Sequence, residues 1–151
     1  MHSPQPVELD VDSPTLDRDI RDFKGGQNDC GLVVVSGTLA GTTRQNIIAL
    51  ASRHSLPAIY PNRCYVTAGG LLSYGAYLPD FYAADGSSAR RYLVTGLLTP
   101  DVDISQISNA TARFEDGVNL QTANALSAAL GNVIYNNATT LARKPGTYVV
   151  R

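Results

Sequence analysis

Histidine and cysteine are scarce in this 151-residue chain, with two of each, and tryptophan is absent. His2 lies beside the terminus and His54 at the end of an expected helix, so no cluster of imidazole and thiol groups at metal-ligand spacing can be assembled. Neither a metal nor a cofactor is expected. His54 reads as a residue favoured by the carboxyl end of a helix dipole rather than as a catalytic base. Cys30 precedes one expected strand and Cys64 follows another. If those strands are parallel neighbours, the thiols sit at opposite ends of a sheet, several residues apart at roughly 3.3 Å each and beyond the ~7 Å Cα limit of a disulfide. Free thiols are the expectation.

An excess of one charge is missing too. Twelve basic residues against thirteen acidic ones give a net charge of -1, which supplies no electrostatic footprint for nucleic acid or an anionic membrane. No uninterrupted apolar run approaches the roughly 20 residues of a membrane-spanning helix, and no span is expected. Met1 to Asp10 carries neither a basic nor an apolar signal region, so the chain as written reads as cytoplasmic. The length and 44% hydrophobic content suit one compact domain or two small lobes sharing a hinge.

What is present is an alternation of periods. Val7, Leu9 and Val11 alternate with polar residues as a half-buried strand would. Ser13-Pro14 opens a helix whose apolar face is Leu16, Ile20 and Phe23, stopped by Gly25-Gly26. Gly31 to Val35 is a β-branched run of the kind covered on both faces in a parallel sheet. Thr42 with Gln45 has capping-box spacing, and Ile47, Ile48, Leu50 and Ala51 give the next helix its apolar side. Pro57 to Tyr60 is a third strand, so the leading part reads β-α-β-α-β and predicts a parallel sheet. Val66 to Tyr74 reads as a glycine kink at Gly69-Gly70 and a further strand at which the chain direction changes. A broken helix is expected within Leu78 to Leu98, an exposed connector over Thr99 to Thr111, a strand over Phe114 to Leu120 and a helix over Leu120 to Leu130 with Ala123, Leu126, Ala129 and Leu130 inward. The last twenty residues carry no clear period.

Several chemical signatures are incomplete. Ser36 sits at a strand-to-helix turn, yet Val34-Val35-Ser36-Gly37-Thr38 lacks the glycine two positions before the serine that a nucleophile elbow requires, so a small α/β hydrolase is the alternative reading and not the leading one. Gly37 to Thr42 has neither the lysine nor the spacing of a phosphate-cradling loop or a dinucleotide fingerprint. In open α/β sheets ligands gather beyond the carboxyl ends of the strands, here Ser36-Gly37-Thr38 and Tyr60-Pro61-Asn62. Ser73-Tyr74-Gly75 ends the following strand and can face the same cleft, although the glycines there also suit close packing. The amino end of the helix after Thr38 favours an anion such as a carboxylate, or is simply capped by Thr42 and Thr43.

The segment Ile47 to Gly75, IIALASRHSLPAIYPNRCYVTAGGLLSYG, resembles a passage of the ABC-transporter substrate-binding family that includes binders of aromatic amino acids. That family has a helix ending Ala-Ala-Arg-His, then Leu-Pro-Ala-Ile-Tyr-Pro, then Ala-Gly-Gly-Leu-(Met/Ile)-Ser-Tyr-Gly, and the chain reproduces all three in order. The resemblance implies a type I periplasmic-binding-protein fold, with two α/β lobes closing on a small organic molecule and delivering it to an ABC permease. It implies that residues 1–68 are most of the second lobe and residues 69–151 the crossover strand with the C-terminal part of the first. Ser36, Gly37, Thr38, Tyr60, Asn62, Ser73, Tyr74 and Gly75 are then the ligand-facing candidates. It further implies a periplasmic, non-catalytic protein. Family members are considerably longer, so the chain reads as N-terminally truncated, with self-association or a missing partner lobe as further expectations and a fragment without independent activity as a second alternative.

Overall fold

The computed structural model describes residues 6–25, 29–35, 41–76 and 114–151. They build an α/β unit whose centre is a five-stranded mixed sheet in the order β1-β2-β3-β4-β5. The strands are β1 (Leu32–Val33), β2 (Ala58–Tyr60), β3 (Leu72–Ala76), β4 (Phe114–Asn119) and β5 (Tyr148–Val150). The helices are α1 (Leu16–Lys24), α2 (Gly41–Arg53), α3 (Arg63–Thr67), α4 (Leu120–Leu130) and α5 (Val133–Ala142). All neighbouring strands run parallel except β3 and β4. The carboxyl ends of β1 to β3 and the amino ends of β4 and β5 therefore share one edge of the sheet.

Local chemistry sets most of these bounds. Leu16 and Ile20, one turn apart, bury the inner face of α1, and Gly25 ends it at φ 44° with its N–H donated to the Arg21 carbonyl. Only glycine adopts that left-handed cap without strain. Asn62 opens α3 by accepting the Cys64 N–H at 3.0 Å, and Asn119 opens α4 by accepting the Thr122 N–H at 3.0 Å. Ala123 and Leu126 face inward on α4, whereas Ala129 is exposed and Leu130 half-buried as the helix runs out at Gly131.

Three sequence expectations change. Val7 to Val11 is not a strand: among the described residues no strand lies beside it, and the Asp10 carboxylate accepts the Asp12 N–H, turning the chain toward α1. The stretch after Asn62 is helical before it is extended, since the Asn62 cap favours α3. The direction of the sheet reverses one strand later than expected, between β3 and β4. The broken helix and connector expected between Leu78 and Thr111 lie outside the described residues. No disulfide joins Cys30 and Cys64.

Two cores lie on opposite faces. On one face Leu32, Val34, Ala58 and Tyr60 pack with Leu16, Ile20, Ile47, Ile48, Ala51, Leu56 and Tyr65 from α1, α2, α3 and their connections. On the other, Leu72, Val118 and Val149 pack with Ala123, Leu126, Ile134, Ala138 and Leu141 of α4 and α5. Register places Val33, Ile59, Leu72, Val118 and Val149 in one row across all five strands of this second face. Val118 is fully buried, but Val33 and Val35 are each 76% exposed. The two-sided burial expected for the Val33-Val34-Val35 run is thus one-sided among the described residues.

Candidate functional site

Five of the candidate residues fall at the shared edge, while Ser36, Gly37 and Thr38 lie outside the described residues. Tyr60, the last residue of β2, is 2% exposed and stacks on Tyr65 of α3 with ring centroids 5.0 Å apart. Burial, with Tyr65 adding to it, pushes its hydroxyl up to about 12. Asn62 spends its side-chain oxygen on the α3 cap. Register sets Ser73 beside Tyr60 and, on its other side, Gly117. Ser73 is 3% exposed, beneath α3. Tyr74 points to the opposite face, 57% exposed, with Phe114 stacked 5.6 Å away. Gly75 packs its backbone against Pro61. The structure thus brings Tyr60 and Ser73 together on one face and separates Tyr74 from them.

Further residues gather on the Tyr60 side without having been singled out by motif. Arg44, in the opening of α2, places its guanidinium carbon 5.9 Å from the Tyr65 ring centroid. Burial raises the Tyr65 hydroxyl above its ordinary value, and the Arg44 cation opposes that rise. Arg63 lies 5.3 Å over the Tyr148 ring and 3.6 Å from the Glu115 carboxylate. The Tyr148 hydroxyl meets Thr67 at 3.2 Å. On the far face Lys144 pairs with Asp116, which raises the ammonium above its ordinary value.

Among the described residues, three buried side-chain polar atoms have no hydrogen-bond partner: Arg44 Nε, Ser73 Oγ and Thr147 Oγ1. Arg44 follows the carboxyl end of β1, Ser73 is level with the last residue of β2, and Thr147 immediately precedes β5. Arg44 and Ser73 lie on the Tyr60 side of the sheet, whereas Thr147 is level with Asp116 and Tyr74 in the row facing the other way. An unpaired buried polar group costs about 1–3 kcal/mol, so such groups are kept few in native folds. The signal for Arg44 was in the sequence: it is the lone charge between Gly41 and Ser52. Ser73 is a candidate in the sequence too, but its burial and that of Thr147 depend on α3 and β5, which no local pattern supplies.

His54 stands apart from this edge. Its Nε2 is 2.8 Å from Asp17 Oδ1, where Arg53 also donates at 3.2 Å, and the Lys24 ammonium donates to the His54 carbonyl. Among the described residues no group of three His, Cys, Asp or Glu side chains could hold a metal ion, and no helix is long and apolar enough to cross a membrane. No family model matches the chain, and no curated protein or solved structure shows significant similarity to it.

Proposed function

We propose that this chain is a non-catalytic solute-binding component of an ABC uptake system, with a type I periplasmic-binding-protein-like fold and periplasmic residence. Its ligand is a small organic molecule such as an amino acid, and its protein partner is an ABC permease. The observation that carries this reading is that Arg44 Nε and Ser73 Oγ, on the Tyr60 side of the sheet, are buried without a hydrogen-bond partner among the described residues near the strand edge where open α/β sheets collect their ligands. The likeness of Ile47 to Gly75 to the substrate-binding family supports it independently, since that segment spans α2, β2, α3 and β3 and leads to the same edge.

The test is thermal unfolding and calorimetry of the full chain against a panel of amino acids, small carboxylic acids, their amides and neutral aromatic compounds. A ligand that binds the native state alone stabilises it by about 2.7 kcal/mol at a hundred times its dissociation constant, so a true solute raises the melting temperature visibly. A panel in which no member shifts the transition or releases heat defeats the proposal.

A further inference from the structure

Arg44 stands out among the basic residues of the edge because no carboxylate partners it among the described residues, whereas Lys144 is held by Asp116 and Arg63 by Glu115. Its guanidinium lies over the Tyr65 ring, and Tyr65 is itself fixed by stacking on Tyr60. Its Nε is out of contact with solvent and makes no hydrogen bond among the described residues. A guanidinium stacked on an aromatic face loses little further freedom when it forms hydrogen bonds, and its fork of N–H donors matches the two oxygens of a carboxylate. Leaving such a group without an acceptor is unfavourable for the free protein, and an acceptor supplied by a bound molecule removes that cost.

We infer that Arg44 is the anchor for a carboxylate on the bound solute. This rests on the solute-binding reading above and adds to it the residue that selects for charge. The carboxylate takes the guanidinium N–H groups, and the Tyr60–Tyr65 stack holds the cation in place from below. The guanidinium fork pairs with carboxylate and phosphate alike, and the carboxylate is chosen because the sequence has no phosphate-cradling loop.

The experiment compares phenylacetate with phenylacetamide, and acetate with inorganic phosphate, on the full chain by calorimetry and by the ¹⁵N–¹H signal of the Arg44 Nε–H. Phenylacetate is expected to bind at least tenfold more tightly than its amide, to move the Arg44 signal, and to lose that preference in Arg44→Gln, with Arg44→Lys in between. Equal binding of acid and amide, a preference that survives Arg44→Gln, or tighter binding of phosphate than of acetate overturns the assignment while leaving solute binding intact. Failure of every probe, charged and neutral, overturns the solute-binding reading and this assignment with it. If Arg44→Gln is poorly folded, the Arg44 signal in the unmodified chain decides: no movement on saturation with phenylacetate overturns the assignment.

Discussion

Gly75 of β3 approaches Pro61 so closely that a Cβ added to it would stand 1.8 Å from the Pro61 carbonyl oxygen and 2.9 Å from its carbonyl carbon. Both are backbone atoms, which cannot swing aside as a flexible side chain can. Gly75→Ala must therefore separate the end of β3 from the chain leaving β2, and overpacking of this kind costs about 1–3 kcal/mol or more. Urea unfolding of Gly75→Ala should show a lower midpoint with the same slope. A midpoint equal to the parent's would mean that the contact is looser than described.

Ser73 and Gly117 form a second tight pair, but here the obstacle is a side chain. A Cβ on Gly117 would lie 2.3 Å from Ser73 Oγ and at ordinary distance from the Ser73 Cβ. Gly117→Ala alone is expected to cost about 1–3 kcal/mol. Ser73→Ala alone should be neutral or stabilising by about 1 kcal/mol, because it removes a buried hydroxyl with no partner among the described residues. The double variant should recover most of the loss, a coupling of about 1–2 kcal/mol in a double-mutant cycle. Simple additivity would contradict the geometry.

Asn119 serves two elements at once. Its Oδ1 caps α4 at the Thr122 N–H, and its Nδ2 donates to the Val66 carbonyl of α3 at 3.1 Å, with the residue only 4% exposed. Asn119→Ala removes a cap worth about 1 kcal/mol and one hydrogen bond to the Val66 carbonyl, worth about 0.5–1.5 kcal/mol because that carbonyl still accepts the Gly69 N–H, for a loss of about 1.5–2.5 kcal/mol. Asn119→Asp keeps the cap acceptor and loses the donor. Chemical denaturation of both variants separates the two contributions, and equal losses would show that the Val66 bond carries nearly all of the effect.

Alkaline titration should find Tyr60 late. Its hydroxyl is pushed from an ordinary 10.0 up to about 12, so the folded state keeps a proton that the unfolded state releases first. The associated stability is complete below pH 10 and is lost as pH rises through 12, about 2–3 kcal/mol in all at 1.36 kcal/mol per unit. Phenolate absorbance with Tyr60→Phe as the control measures this. Ionisation of all eight tyrosines before unfolding begins would refute it.

Acid behaves in the opposite sense at Asp17. The hydrogen bond from His54, with Arg53 beside it, holds this carboxyl below its ordinary 3.8. A depressed folded-state value contributes stability above 3.8 that disappears as pH falls through the folded value. Asp17→Asn should accordingly unfold with a flatter acid limb than the parent, and identical acid limbs would remove Asp17 from the account.

Elements with their own end signals were legible before any coordinates. Helix α4 begins after Asn119 and ends before Gly131 as its sequence says, and α1 stops at Gly25 for the same reason. The parallel pairing of β1 and β2 followed from alternation of strands and helices, whereas β3, expected to reverse direction, runs parallel to β2. What was not legible depends on neighbours. Val7 to Val11 has the period of a strand, but pairing requires an adjacent strand, which no local pattern supplies. Tyr60 ends its strand as the sequence predicts, while Ser73 is the second residue of β3 rather than near its end, and the deep burial of both comes from α3, whose sequence Arg63-Cys64-Tyr65-Val66-Thr67 is β-branched and aromatic enough to read as extended. Arg44 was passed over because apolar periodicity ignores an isolated charge.

The row from Val33 to Val149 runs from open to sealed as it crosses the sheet, and protection of the backbone should follow the same gradient. Amides of β4 and the β3 side facing it are expected to exchange with solvent only on global unfolding. Those of β1, dry on one side alone, should exchange through local opening at lower free energy. The molecule would then unravel from its first strand inward, with Leu72 and Val118 marking the last cooperative unit to open.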